Sequence, residues 1–336
     1  MAATGVPAST AQIYRGFARQ EARGRSPAYE ALADGVASDR GILRFLNALP
    51  PEKRQPNLLF AAARYLLGAP ADLDSLRGLV GRPGSAGAAG AAGAEGAPGR
   101  ELAEVMLARR TQTNEPARCA LLLPALARLP QPLALIEVGA SAGLTLLVDR
   151  YSYDYAGHRI AGRDPLAPTL RCAPEGPVPL PRRPPEIVWR AGLDLNPLSV
   201  ASEDDVRWLT CLVWPGEGDR QERLAAAIAA ARRDPPALYR GDLIDDLPTL
   251  AARAPAGATL VVYHSAVLAY VAPERRRVFG DLVRELGAVW LSNEGPRVLA
   301  DVPVEAFTGD PFLLVRDGRT PLAVADGHGA WLRWLS

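Results

Sequence analysis

The segment at residues 135–143, LIEVGASAG, constrains the fold more than any other part of the chain. An apolar run of strand length leads into a glycine-rich turn, and a stretch with helical spacing follows. Glycines let the backbone turn tightly and approach a ligand, while the free amides of a helix N-terminus bind carboxylates or phosphates. The segment therefore predicts the first strand and the nucleotide loop of an α/β domain.

From residue 131 onward, apolar runs of strand length alternate with helical stretches. The predicted strands are 133–138, 186–193, 237–241, 259–264 and 288–292, and the first predicted helix between them is 143–150. Two last strands, 312–316 and 330–335, are expected to pair as an antiparallel hairpin. The pattern predicts a seven-stranded sheet, made of five strands of parallel type and this C-terminal hairpin.

The first 130 residues have helical spacing instead and are expected to form an N-terminal helical domain, or lid. Within it, residues 82–100 are nearly all Gly, Ala and Pro, which predicts a flexible loop. Residues 131–336 form the predicted α/β domain, and residues 151–185 interrupt it as an insertion with a hairpin and a proline-rich loop.

Composition narrows the class of partner. Lys and Arg number 38 against 37 Asp and Glu, and a net charge of +1 gives no bulk attraction to nucleic acid or to an anionic membrane. The longest apolar stretch is too short to span a bilayer, and the N-terminus has no apolar core of signal-peptide length. Three well-separated cysteines favour a reducing compartment. We expect a cytoplasmic protein that acts on a small-molecule substrate, and the composition allows a homo- or hetero-oligomer.

The glycine-rich turn has the pattern E-x-G-x-S-x-G, formed by Glu137, Gly139, Ser141 and Gly143. It resembles the first motif of class I S-adenosylmethionine-dependent methyltransferases, E/D-x-G-x-G-x-G, which implies a Rossmann fold with these four residues at the cofactor. Ser141 replaces the middle glycine and narrows the loop. The same letters fit the G-x-S-x-G elbow of α/β-hydrolases with Ser141 as nucleophile, although that elbow normally follows several strands. A purely structural turn is the third interpretation.

Acidic and basic side chains stand at the carboxyl ends of the later strands, where parallel sheets bind their ligands. By analogy with methyltransferases, Asp194 is a candidate for the ribose hydroxyls and Asp242 for the adenine side, and either is equally a turn or helix cap. His264 is a candidate general base, or else a hydrogen-bonded core histidine. Glu294 is a candidate acid or base, a ligand for a substrate amine, or a cap. Tyr270 completes the catalytic set.

Four further polar residues are candidates for substrate binding. Ser265 and Asn293 lie next to the proposed catalytic residues in sequence, and Asn114 and Glu115 belong to a polar cluster just before the helix that leads into the first strand. Asn114 has the alternative role of capping that helix. No Cys/His spacing resembles a zinc site, so no metal is predicted.

Several longer phrases, among them QTNEPARCALLLPAL, VVYHSAVLAYV and WLSNEG, resemble a large, mainly actinobacterial family of unknown activity with a methyltransferase-like fold. The resemblance implies three competing functions. The first is methyl transfer from S-adenosylmethionine to a small molecule, for instance in natural-product biosynthesis. The second is the same fold repurposed, without that cofactor, for another substitution such as intramolecular ring closure. The third is a serine hydrolase using Ser141, and a non-catalytic binding role also remains open.

Overall fold

A computed structural model describes residues 8–81, 99–112, 114–296, 298–299 and 311–335. The chain divides into two compact units. The first consists of Met1–Thr113 and Arg207–Gln221, and the second of Asn114–Val206 and Glu222–Ser336. No helix among the described residues has both the length and the apolar character needed to cross a bilayer.

The first unit is helical, as its spacing predicts. Its helices are α1 (Thr10–Phe17), α2 (Pro27–Ser38), α3 (Arg40–Asn47), α4 (Pro56–Leu67), α5 (Leu73–Gly81) and α6 (Arg100–Ala108). Aromatic rings fill its core, with Phe60 in contact with Tyr14, Phe17 and Tyr29. Residues 82–98 of the predicted flexible loop lie outside the described residues, whereas Arg100 begins α6.

The second unit is an α/β structure built on a mixed sheet. Its helices are α7 (Cys119–Ala127), α8 (Glu203–Cys211), α9 (Gly218–Arg233), α10 (Leu247–Ala251) and α11 (Pro273–Glu285). Of these, α8 and α9 each have residues in both units. Its strands are β1 (Leu133–Val138), β2 (Ser152–Tyr155), β3 (His158–Ile160), β4 (Thr169–Arg171), β5 (Ala173–Pro174), β6 (Ile187–Asp194), β7 (Ala237–Arg240), β8 (Thr259–Ser265), β9 (Val289–Glu294), β10 (Phe312–Arg316), β11 (Thr320–Ala325) and β12 (Trp331–Trp334).

Nine of these strands form one sheet in the order β5-β12-β11-β10-β9-β8-β1-β6-β7, and β3-β2-β4 form a small second sheet. The five predicted βα-type strands, β1, β6, β7, β8 and β9, pair in parallel. Numbered along the chain, they lie side by side as 3-2-1-4-5, so the order reverses between β1 and β8. Ligands of open α/β sheets bind beyond the carboxyl ends of the strands at such a reversal.

The C-terminal part differs from the predicted hairpin. The strands β10 and β12 do not pair, because β11 lies between them and pairs antiparallel with both. Pro321 hides β11 in the sequence, since proline is disfavoured inside strands, and it sits next to the register shift between Leu314 and Val315. With β11 and β5, the large sheet has nine strands and not seven.

The predicted helix 143–150 is also absent, and the segment forms only a 3-10 turn at Leu144–Leu147. Side chains take carbonyls that an α-helix would use. The hydroxyl of Tyr151 donates to the first carbonyl of the turn at 2.8 Å, and Nη1 of Arg190 donates to the carbonyl of Leu146 at 2.9 Å. The insertion therefore helps to hold the segment that follows the glycine-rich loop, and no α-helix N-terminus opens there.

Candidate functional site

The glycine-rich loop after β1 is held by the chain's own side chains. The amide of Ser141 donates to Oδ2 of Asp194 at 2.8 Å, so the two predicted cofactor residues bind each other. Asn114 spans the loop, because its Nδ2 donates to the carbonyl of Ala140 and its Oδ1 accepts from the amide of Leu144. Amides that the sequence assigns to a ligand are thus engaged within the protein.

The space beside Gly139 is also filled. A Cβ at this residue would lie 2.4 Å from a side-chain carbon of Val267, so the glycine permits close packing of the loop after β8 against the loop after β1. Ser141 and Ala266 both have positive φ, 52° and 58°, although neither is glycine. Strain of this kind concentrates at functional sites, and here it lies on both sides of the reversal in strand order.

Glu137 points into the protein and is buried at the end of β1. The hydroxyl of Thr145 donates to its Oε1. Burial raises the pKa of Glu137 to about 8, against the lowering effects of Thr145 and of the Arg118 charge. The carboxyl is therefore mainly protonated at neutral pH, whereas the methyltransferase analogy needs a charged acid that binds the cofactor's amino group.

A hydrogen-bonded chain of three buried side chains connects β8 with β9. Nδ1 of His264 lies 2.7 Å from Oε1 of Glu294, and Nε1 of Trp290 donates to Nε2 of His264 at 2.9 Å. An indole N–H only donates, so Nε2 of the histidine must accept and Nδ1 must carry the proton. Both nitrogens of His264 are therefore engaged.

That geometry bears directly on the proposed base. A general base needs a nitrogen lone pair within reach of the substrate. In His264 the lone pair at Nε2 faces the Trp290 indole, and the ring is fully buried beside Phe279. A catalytic role for His264 stays a prediction, and it would require this hydrogen bond to open.

Glu294 is buried like Glu137, but its pKa is shifted in the opposite direction. Its Oε1 also accepts the amides of Val267 and Leu268, at 2.7 and 2.9 Å, so it anchors the loop after β8. Burial alone would raise the pKa of Glu294, but the hydrogen bonds from His264 and from the two amides outweigh it and hold the pKa below its usual value. The group is therefore an ionised, buried carboxylate at neutral pH.

The opposite face of the same strand ends carries Ser265 and Asn293. Nδ2 of Asn293 donates to Oγ of Ser265 at 2.8 Å, which brings two predicted substrate residues together. The Arg118 guanidinium donates to the carbonyls of Ser265 and Gly327 at 3.1 and 2.9 Å. Sequence reasoning did not select Arg118. The available signal was a lone charge within the apolar stretch 116–127.

The remaining candidates lie in other surroundings. Asp242 caps its own turn through the amide of Ile244 and forms an ion pair with Arg275 at 2.7 Å. Tyr270 is 71% exposed on the 3-10 turn Leu268–Tyr270. Glu115 is buried and pairs with Arg223 at 2.7 Å. The proposed roles of these residues stay predictions.

The site offers no metal-binding cluster in the described residues, and its glycine-rich loop is occupied by side chains of the protein. In the described part of the chain, no group of three His, Cys, Asp or Glu side chains is arranged to hold a metal ion. In the loop where the methyltransferase analogy places S-adenosylmethionine, Asp194 and Asn114 each accept one loop amide, and Val267 packs beside Gly139.

The sheet order and the polar carboxyl ends of its strands define an α/β protein with a large mixed sheet and one edge rich in buried polar groups. The chain belongs to the family described as "Uncharacterized protein conserved in bacteria (DUF2332)", whose model matches residues 11–334. Searches of curated proteins and of solved structures give no significant match.

Proposed function

We propose that this chain is an enzyme with a methyltransferase-like Rossmann fold that performs a substitution on a small molecule without S-adenosylmethionine. The strand order 3-2-1-4-5 supports the fold assignment, since it matches the first five strands of the Rossmann arrangement. Intramolecular ring closure is one such substitution. Methyl transfer stays a prediction that the loop geometry does not favour.

One observation carries the proposal: the Ser141 amide donates to Asp194, so the loop and the proposed ribose acid bind each other instead of a nucleotide. A cofactor in that place would have to break this hydrogen bond and move Val267 away from Gly139. Each change costs free energy that would have to come from binding.

An enzymatic role is supported by the buried polar groups around the reversal in strand order. A substitution needs its reacting atoms held in line, together with groups that manage a proton and developing charge. Three buried charged or titratable groups lie at this edge. They are the carboxyl of Glu137, whose pKa is about 8, the ionised carboxylate of Glu294 and the guanidinium of Arg118. In this proposal the nucleophile and the leaving group belong to one substrate, and the bond to the leaving group breaks as the ring bond forms. Glu137, mainly protonated at pH 7, gives its proton to the leaving group and regains one from the nucleophile.

Calorimetric titration with S-adenosylmethionine and with its demethylated product tests the proposal. We expect no binding of either up to about 1 mM, a level at which binding energies fall near 4 kcal/mol. Stoichiometric binding with a micromolar Kd would overturn the proposal. The Asp194→Ala variant then decides how the cofactor is held, because lost affinity would support the ribose assignment and unchanged affinity would remove it.

The hydrolase interpretation keeps one supporting observation, which is the positive φ of Ser141. A nucleophilic serine occupies a strained turn in α/β-hydrolases. A triad with Ser141 would need His264 or His328. His264 directs its nitrogens to Glu294 and Trp290, which leaves His328 as the candidate base. Covalent labelling by a fluorophosphonate that disappears in Ser141→Ala would favour the hydrolase over the proposed substitution.

A further inference from the structure

The carboxyl end of β9 presents acceptor oxygens without donors. Within the described part of the chain, nothing donates to Oε2 of Glu294 or to Oδ1 of Asn293, and both atoms are buried. The two residues are 2% and 0% exposed. Leaving a buried polar atom without a partner costs about 1–3 kcal/mol, and more for a charged group. The two residues are consecutive on β9, so their bare oxygens lie on opposite faces of the sheet, and the hydroxyl of Ser292 beside them is also buried without a partner in the described chain.

The donors around Glu294 are all on one of its two carboxylate oxygens. Its Oε1 accepts from His264, Val267 and Leu268, whereas its Oε2 accepts from no group of the described chain. The first oxygen is thus a fixed anchor, and the neighbouring loop holds the whole carboxylate in place. A side chain that is fixed by one oxygen and bare at the other is preorganised for an incoming donor.

The missing partner must donate, because both bare atoms are acceptors. An isolated ionised carboxylate is far more costly to bury than a neutral polar group, so a cation is the most effective partner for Oε2. The carboxyl of Glu137, on the other face of the sheet, is mainly neutral at pH 7, since burial raises its pKa to about 8. Of these two buried carboxyl groups, Glu294 is therefore the one that would attract a positive charge.

We propose that the substrate of this site is a primary amine, whose ammonium group binds Oε2 of Glu294 while a second N–H or O–H donor of the same molecule binds Oδ1 of Asn293. The inference rests on the proposed function, because it names the substrate class of that enzyme. In this arrangement His264 and Trp290 are positioning residues that orient the carboxylate through Oε1.

A matched pair of probes tests the charge preference. Saturation-transfer NMR would compare 2-amino-1-phenylethanol with 1-phenylethane-1,2-diol, which have a similar shape and share a second hydroxyl donor but differ in charge at pH 7. We expect the amine to bind the full-length protein at least tenfold more tightly than the diol, by the usual gain from a charge-assisted hydrogen bond. In Glu294→Gln the preference should fall to about one, because the amide keeps an acceptor at Oε1 and places a donor at the bare position.

Glu285→Gln is the matched control, since it removes the same charge from an exposed position on α11 and should keep the preference. Asn293→Ala provides a second variant and should weaken amine binding about three- to tenfold if its oxygen takes part. Equal binding of amine and diol, binding of neither, or a preference that survives Glu294→Gln would overturn the inference. None of those results changes the outcome of the calorimetric test of the proposed function. Binding of S-adenosylmethionine would overturn the proposed function without deciding whether the site prefers an amine.

Discussion

The Glu294 carboxylate should be the main anchor of the loop after β8, and the structure allows the cost of removing it to be worked out. In Glu294→Ala three donors lose their acceptor: Nδ1–H of His264 and the amides of Val267 and Leu268. Each buried donor left without a partner costs about 1–3 kcal/mol. The amide of Val267 is only partly buried and can bind water, and removing a buried charge gives part of the cost back. We therefore expect a loss of about 3–5 kcal/mol in the free energy of unfolding.

Glu294→Gln separates this anchoring from the charge itself. The amide oxygen can take the place of Oε1 and accept the same three donors, so only the charge-assisted part of each bond is lost. We expect this variant to lose about 1–2 kcal/mol. Urea unfolding followed by circular dichroism measures both variants, provided that the slope m stays unchanged and the transition is cooperative.

Hydrogen exchange and an exposed control variant show whether the lost stability comes from the loop after β8. Hydrogen exchange of the Val267 and Leu268 amides should accelerate in Glu294→Ala well before global unfolding, and remain slow in Glu294→Gln. The exposed control Glu285→Gln should stay within about 0.5 kcal/mol of the wild type. If the Ala and Gln variants are equally stable, or if neither differs from the wild type by more than about 1 kcal/mol, Oε1 does not anchor the loop.

Two other predictions concern stability. Gly329→Ala should destabilise by more than about 2 kcal/mol, since φ is 92° and the new Cβ would lie 2.4 Å from the carbonyl oxygen of Ala117. Gly257→Ala is its control, having φ of 86° and open space, so thermal melting should show a clearly smaller loss, and equal losses would contradict the close approach. Glu137 holds its proton up to about pH 8 in the folded state but only to about 4.5 when unfolded, so its contribution to stability falls as pH rises between these values. The stability of Glu137→Gln relative to wild type should therefore improve by about 1.4 kcal/mol per pH unit across that window, measured by urea midpoints at pH 5.5, 6.5 and 7.5, and a flat difference would refute the raised pKa.

The sequence predicted the parallel strands well because each is a short apolar run between clear turn signals. For β1 the predicted and observed bounds agree, and β8 ends one residue later than predicted. The strand β9 begins one residue later and ends two residues later than predicted. The strand β11 was missed because Pro321 interrupts its pattern. The helix after the loop failed for a different reason, since the Tyr151 hydroxyl and the Arg190 guanidinium compete for its carbonyls from outside the segment.

For the candidate site, the sequence identified the polar residues but not the contacts between them. The polar character of the strand ends is local information, so Asp194, His264 and Glu294 could be found from sequence. Their partners could not, because a bond between residues 264 and 294 depends on strand register, and sequence gives no measure of it. The same limitation hid Arg118, whose contacts lie 147 and 209 residues away along the chain.

Strand register also decides which of these side chains can act together. Residues that pair in register on parallel strands point to the same face, and successive residues alternate between faces. Tyr263 pairs with Glu137, and Ser265 pairs with Asn293, so these four side chains share one face. His264 pairs with Ser292 and bonds Glu294 on the other face, beside Trp290. The protonated carboxyl of Glu137 and the ionised carboxylate of Glu294 are therefore separated by the sheet and cannot share one proton directly.

A ligand beyond the strand ends, where the two faces meet, is the arrangement that lets both groups contact one substrate. For this reason the bare oxygens of Asn293 and Glu294, one on each face, are the observation on which the amine proposal depends.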